Sequence, residues 1–109
     1  MATLEQKIAD LDKLAEEYAK AESERTYLEN FRHSKIAMLM KEAEKEGFKT
    51  AAAQDREARA NPEYVELLNG LRGATEIAEF ARWKLKNAHM GASLYQTKKA
   101  SERAEMKLT

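Results

Sequence analysis

The sequence predicts an all-α protein: two long antiparallel helices joined by a short one. Three observations carry that reading. Apolar residues recur at three- and four-residue intervals over most of the 109 positions, only four Gly and one Pro are present, and the pattern lapses at Gly47 and again at Pro62. So few turn formers argue against a many-stranded β fold.

Each element has its own punctuation. Thr3-Leu4-Glu5-Gln6 has the form of a capping box, so a helix is expected over about residues 3–46. Gly47 is a natural left-handed terminator, and apolar Phe48 follows it. Thr50 stands where it can cap a short alanine-rich helix over 51–60. Asn61 then caps a last helix over 62–107, with Pro62 in the first turn, where its missing amide is no loss. At about 1.5 Å per residue each long helix spans roughly 65 Å. Two matched rods and a short connector predict a single helical-hairpin domain over residues 1–109.

Periodicity supplies the contact surfaces. In the last helix Tyr64, Leu67, Leu71, Ala74, Ala78, Ala81, Leu85, Ala88, Ala92 and Tyr95 keep a 3-4 spacing with no polar interruption. That is a coiled-coil seam, and its alanines allow close approach. The expected partner stripe on the first helix is Leu4, Ile8, Leu11, Ala15 and Tyr18, then Ala21, Leu28 and Phe31, then Ile36, Leu39 and Ala43. Glu22, Arg25, Glu29 and Arg32 interrupt its middle, which predicts looser packing or a change of phase there. The last helix also carries a second apolar row, Phe80, Trp83, Met90 and Leu94, with Asn87 among them. This row points away from the first, and a two-helix hairpin cannot bury both. A second copy, another protein or nucleic-acid bases are expected to cover it. Homo-oligomerisation is expected for the same reason.

Charge is balanced but not evenly spread. From Met1 to Ala81 there are 12 Lys and Arg against 17 Asp and Glu; from Arg82 onward there are 7 against 2. Arg82, Lys84 and Lys86 flank the aromatic row, with Lys98, Lys99 and Arg103 beyond. Cations among aromatic rings are what single-stranded nucleic acid binds, charge following phosphates and rings stacking on bases. An alternative needs no ligand: the acidic N-terminal third, with Glu5, Asp10, Asp12, Glu16, Glu17, Glu22 and Glu24, lies beside this half in a hairpin and can neutralise it. Arg32, Lys35 and Lys49 form a secondary basic patch near the hinge, diluted by Glu42, Glu44 and Glu46, so a solvated helix face accounts for it as well.

Other function classes find little to build on. Zero Cys removes disulfides, thiolate metal sites and cysteine nucleophiles. Neither His33 nor His89 has a second ligand at a metal-binding spacing, so no metal and no cofactor is expected. Hydroxyl-histidine-carboxylate arrangements and phosphate-cradling glycine loops are missing, so no catalytic residue, small-molecule substrate or enzymatic activity is expected. A mean hydropathy of −0.74 and the lack of an apolar run near 18 residues predict no membrane partner. Met1-Ala2-Thr3-Leu4-Glu5 has no basic segment followed by an apolar core, which predicts no secretory leader and a cytoplasmic location.

Several stretches resemble small helical proteins of tailed bacteriophages. They are Tyr27-Leu28-Glu29-Asn30-Phe31-Arg32 with Leu39-Met40-Lys41-Glu42-Ala43, Gln54-Asp55-Arg56-Glu57-Ala58 leading into Asn61-Pro62-Glu63-Tyr64, and Ser101-Glu102-Arg103-Ala104-Glu105-Met106. The genes of such proteins tend to lie in the early DNA-metabolism region, beside recombination functions. In size, helix content and its basic-aromatic C-terminal half the chain is also similar to phage recombination mediators. That resemblance implies an oligomer that binds single-stranded DNA and helps load a recombinase onto strands covered by single-strand-binding protein. It implicates Arg82, Trp83, Lys84, Lys86, Lys98, Lys99 and Arg103, and implies a phage or bacterial-host recombination protein as partner. The mediators carry a basic surplus, whereas this chain balances to zero. The expected function is a non-catalytic accessory role in phage DNA recombination or replication, in the cytoplasm of the bacterial host. The alternatives are a helical protein-interaction adaptor, docking through Phe80, Trp83, Asn87, Met90 and Leu94, or a virion structural or assembly component.

Overall fold

A computed structural model describes residues 3–108. Met1 and Ala2, at the head of the segment expected to lack a leader, and Thr109 lie outside the described residues. The described chain is all-helical: α1 spans Leu4–Lys45, α2 Ala51–Ala60 and α3 Pro62–Leu108, with no strand among the described residues.

The caps explain why the helices stop where they do. The Thr3 hydroxyl accepts from the Gln6 amide at 3.1 Å, although among the described residues Gln6 makes no side-chain bond back. At the other end of α1, Gly47 adopts φ 108°. Its amide donates to the Glu44 carbonyl and the Phe48 amide to the Ala43 carbonyl, both at 3.1 Å, which closes the orphan carbonyls in the Schellman pattern. Thr50 caps α2 through the Ala53 amide at 3.1 Å. Asn61 serves two helices: its amide bonds the Ala58 carbonyl, ending α2, while its side-chain oxygen accepts from Glu63 at 2.9 Å, starting α3.

The chain forms two compact units. One combines the stretch up to Lys20 with the stretch from Glu79 onward; the other is Ala21–Ala78. In the second unit three helices meet. Leu39, Ala58 and Tyr64, one from each helix, form its buried centre, with Ile36, Met40 and Leu68 packed around them. Ala43 and Ala78 are buried as well. The Gln54 amide donates to the Phe48 carbonyl at 2.9 Å and fixes the connector onto α2. Lys35 and Glu63 form an ion pair between α1 and α3 at 3.7 Å.

In the first unit only α1 and α3 are present, and they run antiparallel. Lys7 sits 5.0 Å from the Tyr95 ring, and Glu17 lies 3.7 Å from Lys84, so the partner number falls as the α1 number rises. None of the described residues of this unit is buried. The α3 seam nevertheless keeps its phase: from Tyr64 to Tyr95 every one of its ten positions is buried or half-buried.

The α1 stripe differs from expectation at its N-terminal end. Leu4, Ile8 and Ala15 are exposed, and the half-buried positions are Lys7, Leu11, Leu14 and Tyr18. Leu11 and Tyr18 hold their expected places, while Lys7 and Leu14 take those of Ile8 and Ala15; the aliphatic stem of Lys7 can pack while its ammonium rests on Tyr95. The series continues through Ala21, Arg25, Leu28, Arg32 and Lys35 to buried Leu39, so of the four residues expected to interrupt the stripe Arg25 and Arg32 take seam positions and Glu29 is exposed. Arg25 is held by Glu22 on one side and by Glu29 at 3.0 Å on the other. The bond to Arg25 keeps the Glu22 carboxyl below its ordinary range, and the same bond raises the Arg25 value.

Two glycine substitutions should move stability in opposite directions. Gly47→Ala places a Cβ at positive φ and should cost about 1–2 kcal/mol. Gly70 sits inside α3, and an added Cβ would meet nothing within 4 Å. Gly70→Ala should therefore gain about 1 kcal/mol. Urea unfolding followed by helical circular dichroism reads both, and a Gly47→Ala protein as stable as its parent would contradict the left-handed cap.

Candidate nucleic-acid interface

The outward row is a consequence of the seam. Ala81, Leu85, Ala88 and Ala92 turn toward α1, and helical spacing then directs Phe80, Trp83, Asn87, Met90 and Leu94 to the far side of α3. All five are exposed, Phe80 at 67% and Trp83 at 49%. Ile77, three residues before Phe80, is exposed too. The 3-4 spacing that reveals it is 77, 80, 84, 87, and the lysine at 84 conceals it from a purely apolar scan.

Cations stand on the rings. The Arg82 guanidinium lies 5.0 Å from the centre of the Trp83 ring and the Lys86 ammonium 4.9 Å from it. Lys84 stands 5.6 Å over Phe80. Arg82 is also tied to Glu79, at 2.9 Å from Nη2 and 3.2 Å from Nε. Further along, Lys99 lies between the Tyr95 ring at 5.7 Å and Glu102 at 3.4 Å. Among the described residues Lys86, Lys98 and Arg103 form no ion pair. An exposed cation–π contact is worth about 0.5–1 kcal/mol, less than the roughly 1–3 kcal/mol of a base stacked on an aromatic ring. Of the three cations on Phe80 and Trp83, Arg82 is held by Glu79 and Lys84 by Glu17, which leaves Lys86 without an ion pair among the described residues.

The acidic N-terminal third meets this half at two grooves, one lined by Asp10, Glu17 and Lys84 and the other by Asp12, Arg82 and Lys86. Of its seven carboxylates, Glu17 alone bonds a cation of α3 among the described residues. Glu16 pairs with Lys20 and Glu22 with Arg25, both within α1. The secondary patch is divided: Arg32 and Lys35 are half-buried on the seam side of α1, Lys35 against Glu63, while Lys49 is exposed in the connector. Tyr27 and Phe31 stack at 5.9 Å with ring planes 10° apart, an aromatic pair that periodicity alone did not single out.

Both histidines are exposed, and no group of metal-ligating side chains is assembled among the described residues. None of the described helices is long and apolar enough to cross a membrane. No family model, curated protein or solved structure matches the chain.

The ring-cation geometry predicts a charge-selective fluorescence signature. Iodide, drawn by Arg82 and Lys86, should quench the Trp83 emission more strongly than caesium does. Lys86→Gln should narrow that difference, and equal quenching by the two ions would contradict the clustering of cations at the indole.

Proposed function

We propose that the chain is a non-catalytic accessory protein that works in several copies and binds single-stranded DNA along the outer face of α3. Its resemblance to small helical phage proteins suggests a role in phage DNA recombination or replication, beside a phage or host recombination protein. One observation carries the reading: Phe80 and Trp83 are exposed on a helix face flanked by Arg82, Lys84 and Lys86. Rings offer a stacking surface to any base, and the cations offer a path for the backbone. Lys84 and Lys98 share one side of the row, about 21 Å apart along the helix at 1.5 Å per residue. A strand following that line passes Asn87 and Leu94 between them.

The second reading is a protein-interaction adaptor. It draws on Met90 and Leu94, exposed residues with little to offer a phosphate backbone, and on the 3-4 spacing that suits a docked helix.

Fluorescence anisotropy of a labelled oligonucleotide decides between them. The DNA reading expects binding at low salt that weakens as salt rises, by about 0.7 in log K per phosphate for each tenfold change in salt. Trp83→Ala should cost about 1–3 kcal/mol of binding with the salt slope kept. Lys84→Ala should lower the slope by about one phosphate contact. No binding at low salt, or binding insensitive to salt, rejects the DNA reading; specific capture of a protein without DNA supports the adaptor.

A further inference from the structure

The α1/α3 unit has a second unsatisfied surface, which meets the rim of the aromatic row at Arg82 and Lys86. A groove of about 460 Å³ runs between the two helices, lined by Leu11, Asp12 and Ala15 from α1 and by Arg82, Leu85, Lys86 and His89 from α3, with Arg82 already paired to Glu79. Its floor is apolar and its walls are opposite in charge. Asp12 and Lys86 form no ion pair among the described residues. One helical turn before Asp12, Ile8 is exposed at 49%.

We infer that this groove is the interface between two copies of the chain. The argument is charge complementarity. A surface with an acidic wall beside a basic one is matched by its own copy rotated half a turn about an axis parallel to the helices. In that arrangement α1 of each molecule lies against α3 of the other, and Asp12 meets Lys86 of the second copy twice over. The four helices then surround one core, with Leu11 and Leu85 inside it. Pairing α3 with α3 through the outer aromatic row is disfavoured, because Arg82, Lys84 and Lys86 would face their own equivalents. A foreign helix would need both charges in the right order, whereas a second copy supplies them by symmetry.

The inference rests on the reading that the protein works in several copies, and is tested apart from DNA binding because Arg82 and Lys86 belong to both surfaces. Sedimentation at tens of micromolar protein, without DNA, tests it. The parent should sediment at twice the 12.4 kDa chain mass. Asp12→Lys alone and Lys86→Asp alone should each weaken association at least about tenfold, and the two together should restore it. Ile8→Asp should also dissociate the pair while leaving helical circular dichroism intact, since the side chain is exposed in the single molecule. A parent at single-chain mass, a double variant that stays apart, or an Ile8→Asp protein that associates like the parent would each overturn the interface. Anisotropy with an oligonucleotide, run separately, reads the DNA proposal on its own.

Discussion

A helix is a cylinder, and one neighbour can shield only one side of it. That constraint governs this protein. Where α2 joins α1 and α3, Leu39, Ala58 and Tyr64 close over one another, and residues from all three helices leave the solvent. Where α1 and α3 have only each other, no described residue reaches that state. Tyr95, Leu85 and Leu11, in good seam positions, stay half-buried for want of a third surface. Burying a large apolar side chain fully contributes about 1.5–3 kcal/mol, so a partner for this unit has several such contributions to supply.

The alanine seam sets how the rest of α3 is presented. Ala74, Ala78, Ala81, Ala88 and Ala92 put small side chains on the less exposed face of α3, while Phe80 and Trp83 stand on its exposed face. The helix cannot rotate to hide its aromatic row without exposing the seam and driving large rings into the space alanines occupy. Presentation of the row is thus fixed by the small residues behind it. The cations follow the same logic: Arg82 and Lys86 stand on one side of the row and Lys84 and Lys98 on the other, which holds the rings between two lines of positive charge.

The helix ends and the α3 seam were legible because their signals are local. Thr50, Asn61-Pro62 and Gly47 each act within a few residues, and a ten-position apolar series leaves a single phase. The α1 register was not legible, because Leu4, Ile8 and Ala15 match the period as well as the positions that pack do. What selects Lys7 is the Tyr95 ring on another helix, and nothing near Lys7 in sequence records it. Arg25 misled for a related reason: a long side chain can occupy a seam position when carboxylates such as Glu22 and Glu29 receive its charge. The aromatic row could be read from spacing, whereas the cations resting on its rings could not.

Net charge is a poor guide to this molecule. A chain that sums to zero still presents cations without an ion pair, since Glu17 is the one carboxylate of the acidic N-terminal third that bonds an α3 cation among the described residues. The unpaired groups fall into two sets with different geometry. Asp12 and Lys86 face one groove from opposite walls, so a symmetric pair can satisfy both. Lys98 has no opposing carboxylate among the described residues and lies on the side of the row away from Lys86, where a polyanion can follow it. In the proposed assembly these roles reinforce each other: pairing through the groove leaves two outer α3 faces on one particle, and a strand held by one raises the effective concentration at the second. Weak stacking at each face then suffices, which suits a surface whose rings already carry cations of their own.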